Sequence, residues 1–249
     1  MRFLLINGNT SAFVTERAVE EAQRAVSSGT EIVGVTGETG ASIIATRVEN
    51  ALAEREMITL AAKHGKGVDG VLIAVSFDTA LPALRELMPV PVVGMTEAAM
   101  LTAYLIGSRI GLVSLGGRVQ PVYAELIRGY DLDRRIAGWE IISSDEAYSP
   151  DDPNAIDSSV IDACSRLVED QRSEVIVLLG AVMSGVARRL QSALPVPLID
   201  GITAATHQLE ALISMNLPKA QIGSFAPPGT RDLKGVDPAI GTALQDGTI

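Results

Sequence analysis

At 249 residues the chain is long enough for one large α/β domain or for two lobes of ordinary size. Hydrophobic residues make up 47% and charged residues 20%, a balance that excludes a disordered acidic tail and a coiled coil. Asp and Glu number 30 against 20 Lys and Arg, so the net charge of −10 removes the basic footprint that nucleic-acid backbones require, and no nucleic-acid partner is expected.

Cys164 is the one cysteine, which rules out an intramolecular disulfide and any multi-thiolate metal site; with two histidines besides, no metal is expected. The first apolar run, Phe3-Leu4-Leu5-Ile6, is far shorter than a secretory signal core, and no later stretch approaches the roughly 20 residues of a membrane helix. A cytoplasmic chain without a membrane partner is the expectation.

In chain order, Phe3 to Ile6 reads as a strand, Ser11 to Val26 as a helix with Phe13, Val14, Ala18, Ala22 and Val26 on its apolar face, and Glu31 to Val35 as a second strand. Further strands are expected at Gly70–Val75, Val90–Gly94, Ile110–Leu115, Glu174–Leu179 and Val196–Asp200. Val71-Leu72-Ile73-Ala74-Val75 and Val175-Ile176-Val177-Leu178-Leu179 are apolar throughout, as strands covered by helices on both faces must be. The alternation predicts an α/β fold with parallel sheets. The tail from Ser224 onward, including 235–249, has turn composition and is read as an arm that wraps the other lobe or reaches a second subunit.

The chain repeats itself. Met88-Pro89-Val90-Pro91-Val92-Val93-Gly94 superposes on Leu194-Pro195-Val196-Pro197-Leu198-Ile199-Asp200 at an offset of 106 residues, and Leu72-Ile73-Ala74-Val75 falls on Leu178-Leu179-Gly180-Ala181 at the same offset. A weaker echo sets Leu4–Asn9 against Leu112–Gly117. Two pseudo-symmetric lobes follow: 1–100 with 211–249, and 101–210, the chain crossing near 100 and returning near 210, with a cleft between them.

In parallel sheets, ligands gather beyond the carboxyl ends of the strands. Four such ends define the candidate site: Asn7-Gly8-Asn9-Thr10-Ser11, Val75-Ser76-Phe77-Asp78-Thr79, Ser114-Leu115-Gly116-Gly117-Arg118 and Gly180-Ala181-Val182-Met183-Ser184. Asn7, Asn9, Thr10, Phe77, Thr79, Ser114, Arg118, Val182 and Met183 are the candidate substrate contacts, with Arg47 and Arg118 as cations for an anionic group. Ser76, Asp78 and Glu97 are the candidate catalytic residues. Asp78 and Glu97 either supply a general base or cap helices, Asp78 the one through Leu81, Leu84 and Leu87. His64 and His207 have no Ser or Cys partner in sequence and argue against a hydrolytic triad. Neither Gly37-Glu38-Thr39-Gly40 nor Gly116-Gly117 fulfils a dinucleotide or P-loop pattern, so no cofactor is expected.

Ile6-Asn7-Gly8-Asn9-Thr10-Ser11 resembles the opening of hydantoin and allantoin racemases in the aspartate/glutamate racemase superfamily. Gly67-Val68-Asp69-Gly70, Val93-Gly94-Met95-Thr96-Glu97-Ala98-Ala99-Met100 and Leu198-Ile199-Asp200-Gly201 continue the likeness in order. The resemblance implies a cofactor-independent homo-oligomer acting on small carboxylates or cyclic ureides, with two cysteines facing opposite sides of a stereocentre. At those two positions this chain carries Val75 and Ala181. Neither side chain can move a proton, so two-thiol racemisation is excluded and oxyanion stabilisation by strand-end amides and hydroxyls is the leading expectation. A hydrolase, lyase or cis–trans isomerase in the same cleft, or a ligand-binding protein, are the alternatives.

Overall fold

The protein is described here from a computed structural model covering residues 1–143, 152 and 154–246. Its first lobe is a four-stranded parallel sheet of order β2-β1-β3-β4, formed by β1 (Arg2–Asn7), β2 (Glu31–Thr36), β3 (Gly70–Ile73) and β4 (Val92–Gly94). Helices α1 (Ala12–Ala25), α2 (Arg47–His64) and α3 (Leu81–Leu87) connect them. The second lobe repeats the order as β6-β5-β7-β8, from β5 (Ile110–Leu115), β6 (Ile136–Ile142), β7 (Val175–Leu179) and β8 (Leu198–Asp200). Its connections are α5 (Gln120–Gly129), α6 (Asp157–Glu169), a 3-10 turn at Ala181–Met183 and α7 (Val186–Leu190). The fold is therefore α/β, with two lobes whose parallel sheets are flanked by helices.

The two strands expected from uniform apolarity, β3 and β7, are buried throughout, as are β4, β5 and β8. β6 was not among the expected strands. It is an edge strand, half-buried along most of its length, and Gly138 and Glu140 interrupt its apolar run. The 106-residue offset would have found it, because it carries Glu31–Thr36 onto 137–142.

Helices α4 (Met95–Ile106) and α8 (Gly201–Ser214) straddle the expected crossings near 100 and 210. Each follows the last strand of its own lobe and packs on the sheet of the other, α4 against β7 and β8, α8 against β3 and β4. They meet near their N-termini, where a Cβ on Gly201 would stand 2.6 Å from the Met95 carbonyl oxygen. The exchange leaves one apolar core running through both lobes, from Phe3, Leu5 and Leu72 to Leu112, Val177 and Ile199. A second cluster, including Leu4, Ile6, Met57, Ile73 and Leu84, fills the first lobe's other face.

The tail is not all turn, since α9 (Pro238–Asp246) forms a helix; 247–249 lie outside the described residues. α9 lies on α2 of the first lobe, with Arg55 donating to the Gly235 carbonyl and Lys63 paired to Asp237 at 3.0 Å. Among the described residues, no helix is long and apolar enough to cross a membrane.

Candidate active site

Each lobe offers the loop after its third strand to the first helix of the other. The Val75–Ala80 loop meets α5, and the Ala181–Gly185 loop meets α1, so the two central strand ends converge on the seam between lobes. Val75 and Ala181, the positions where the resemblance implies cysteines, are both buried.

Ser76 is half-buried, and its Oγ lies 2.6 Å from the Tyr123 hydroxyl of α5. Tyr123 packs edge-on against Phe77, with ring centroids 4.9 Å apart, and leans on Trp139, whose Nε1 donates to Ser114 Oγ at 2.9 Å. Ser76, Phe77 and Ser114 are thereby joined through two aromatic residues that the sequence reading did not single out.

Asp78 follows in the same loop with φ 48°, a left-handed conformation that Asp tolerates better than most residues. Its carboxylate accepts from the backbone N–H groups of Thr96 at 3.0 Å and Glu97 at 2.8 Å, and from the Tyr130 hydroxyl at 2.9 Å. It therefore caps α4 and not α3. Gly94 makes room for it, because a Cβ there would lie 2.5 Å from the carboxyl carbon. Burial raises the Asp78 pKa to about 7 against the opposing pull of these three donors. The 106-residue offset pairs Gly94 with Asp200 and Asp78 with Ser184. In the second lobe Asp200 itself caps α8, accepting from Thr203 N and Oγ1 at 2.9 Å each. Both lobes thus hold a buried carboxylate at the N-terminus of the exchanged helix, supplied from different strands. Burial pushes the Asp200 carboxyl up as well.

Glu97 points away from this cluster into a two-pronged ion pair with Arg85, whose Nη1 reaches it at 3.0 Å and whose Nε holds the Val92 carbonyl. Asn7 and Asn9 shape the β1–α1 turn: Asn7 Nδ2 donates to Asn9 Oδ1 and Thr15 Oγ1, and Asn9 Oδ1 accepts from Ser11 N. Thr10 N holds Ala41 O, while Thr79 Oγ1 donates to Asn50 Oδ1 at 2.6 Å. Val182 and Met183 are buried in the turn after β7, and Ser184 Oγ donates back to Ala181 O. Arg118 is exposed across from the start of α2, beside Glu49, and Arg47 is paired across the seam with Glu125. His64 and His207 are exposed on α2 and α8. Among the described residues, no group of three or more His, Cys, Asp or Glu side chains is placed to hold a metal.

Sequence reasoning missed Tyr123, Tyr130, Trp139 and Arg85. The signal for the two tyrosines was their seven-residue spacing, which sets them on one face of the α5 segment, turned toward the 76–78 loop. Nothing local pointed to Arg85 or Trp139, whose partners lie 12 and 25 residues away in sequence.

The Asp/Glu/Hydantoin racemase family model matches residues 3–209. The chain belongs to that family. A hydantoin racemase from Paenarthrobacter aurescens is 31% identical over 230 residues, covering 92% of this chain and 98% of that protein. The solved allantoin racemase from Klebsiella pneumoniae superposes with a TM-score of 0.89 at 31% identity, over 94% of this chain and 96% of that one. Arylmalonate decarboxylase superposes with a TM-score of 0.62 at 16% identity, a likeness of fold. As a member of the racemase family the protein is an enzyme of the racemase/isomerase superfamily, and Val75 and Ala181 are where it departs from the pattern implied by its resemblance to those racemases.

Proposed function

We propose that the protein is a cofactor-independent enzyme that acts on a small carboxylate or a hydantoin-like amino-acid derivative by stabilising an oxyanion, without a pair of thiols. The observation that carries this reading is the Ser76–Tyr123 contact of 2.6 Å beside Val75. With Tyr123 as the donor, this contact orients Ser76 and leaves the Ser76 proton to meet charge developing on a substrate oxygen. Phe77, Val182 and Met183 supply an apolar wall that strengthens such an interaction by keeping water out. Asn7, Asn9, Thr10, Thr79 and Ser114 hold the surrounding strand ends in place, and Arg118 at the rim attracts an anionic substrate. Asp78 and Glu97 serve in this reading as the cap of α4 and the partner of Arg85.

The cleft lies between lobes 1–100 with 211–249 and 101–210, and the family resemblance supports a homo-oligomer in the cytoplasm, without nucleic-acid or membrane partners. The test is turnover of a panel of hydantoins, allantoin, aspartate, glutamate, maleate and substituted malonates, followed by NMR, for the native chain, Ser76→Ala and Tyr123→Phe. Removal of a single oxyanion donor lowers kcat by roughly 10²–10³-fold, so Ser76→Ala is expected to fall by about that factor with KM little changed, and Tyr123→Phe by less. Undiminished turnover in Ser76→Ala contradicts the reading.

A further inference from the structure

Helix α1 of the first lobe runs along the Ala181–Met183 turn and α7 of the second, and charge lines the seam between them. Three arginines there have carboxylate partners. Arg188 forks onto Glu21 at 3.0 and 3.1 Å, Arg189 onto Asp157 at 2.8 and 2.6 Å, and Arg24 reaches Glu21 at 3.4 Å.

Arg17 differs from all three. Its Nη2 makes one long bond to the Ser184 carbonyl at 3.4 Å, its guanidinium carbon lies 5.6 Å from the centre of the Phe13 ring, and its Nη1 is enclosed with no hydrogen-bond partner. A guanidinium carries five N–H donors, and an enclosed one left unmatched is a rare and costly arrangement. Burial, and then the charge of Arg189, lower its pKa, while Asp157 and Glu20 act in the opposite sense. Glu21 and Asp157 are already engaged by other arginines, Glu20 turns to Arg24 at 3.5 Å, and Glu16 is exposed. The guanidinium borders a cavity of ≈ 250 Å³ that Ser184 and Gly185 also line.

We infer that Arg17 anchors a small-oxyanion site bridging the two lobes, which takes the phosphate or carboxylate group of a small molecule. The cavity suits an inorganic phosphate or a short dicarboxylate. Ser184 Oγ also donates to the Ala181 carbonyl, so an anion held by Arg17 ties α1 to the loop that ends at the second lobe's central strand. Neither Ser76 nor Tyr123 lines this cavity, and the site stands or falls independently of the proposed reaction.

The test is calorimetric titration of the full chain at low ionic strength with inorganic phosphate and, separately, with malonate. Saturable one-to-one binding of at least one anion is expected, at least about tenfold weaker in Arg17→Gln, with Arg17→Lys in between because an ammonium keeps the charge and loses the fork. Which of the two anions binds distinguishes a phosphate-bearing ligand from a carboxylate. Glu16→Gln, an exposed change with little risk to folding, is expected to tighten binding about two- to fivefold by removing a like charge from the rim. The thermal midpoint of the native chain should rise with the concentration of the anion that binds. Non-saturating uptake by the native chain, affinity within twofold of native in Arg17→Gln, or affinity unmoved by Glu16→Gln would each overturn the inference.

Discussion

Asp78 shows how one side chain is given its role by distant partners. Read locally, an acidic residue three positions before Leu81 caps the helix that begins there; in the fold it caps α4, whose first turn lies 18 and 19 residues further on, and Tyr130 closes the arrangement from the other lobe. Its pKa is raised to about 7, so the folded state binds a proton that the unfolded chain releases near pH 3.8. Folded Asp78 therefore holds more protons than unfolded Asp78 between those values, and stability falls as pH rises through that window. Each tenfold difference in proton affinity is worth about 1.4 kcal/mol, so the loss amounts to about 4 kcal/mol at most. Denaturant titrations from pH 4 to pH 8 should show this slope in the native chain and its absence in Asp78→Asn. That variant should also be less stable at pH 4 by about 1 kcal/mol, because an amide nitrogen replaces one of the accepting oxygens. A native profile no steeper than that of Asp78→Asn would remove the account of this carboxyl.

At the scale of elements, the exchange of α4 and α8 depends on close approach at two glycines. Gly94 lets the Asp78 carboxylate reach α4, and Gly201 lets the starts of the two helices touch. Gly94→Ala drives a Cβ against a carboxylate fixed by three donors, and Gly201→Ala drives one against a backbone carbonyl, so neither neighbour can swing away. Each substitution is expected to cost about 1–3 kcal/mol by equilibrium unfolding, with Gly129→Ala, where the added Cβ meets nothing, as the comparison. Equal stability of all three would show that the helix crossing is looser than described.

The elements also mark what a sequence reveals. β1, β3 and β7 were legible because burial on both faces leaves no room for polar residues, while β6 at the sheet edge needs no such uniformity and hid behind Gly138 and Glu140. α9 hid in the same way: its segment lies in a tail rich in turn residues, and it gains its support from α2. The strand ends of the candidate site could be placed from β1, β3, β5 and β7. The contacts across the seam, Ser76 with Tyr123 and Asp78 with Tyr130, could not, since 47 and 52 residues separate the partners and only the folded lobes bring them together.

At the scale of the molecule, the two lobes repeat sheet order and helix exchange, and the symmetry breaks where chemistry is expected. The Val75 loop is answered by two tyrosines and the Ala181 loop by an arginine. The equivalent strand-end positions carry a valine and an alanine, and the one thiol, Cys164, is buried in α6 with its pKa pushed up to about 12. In the proposed reading, exchange by a pair of thiols has no residues to run on, and oxyanion stabilisation by hydroxyls at the seam takes its place. The most direct measurement is proton NMR of an enantiopure 5-substituted hydantoin incubated with the native chain in deuterated water. Positioned proton-transfer groups contribute about 10²–10⁴-fold each, so with both absent, exchange at the stereocentre should stay at the rate of the protein-free control. Rapid exchange with inversion by the native chain would contradict the central claim that this cleft works without a pair of proton-transferring side chains.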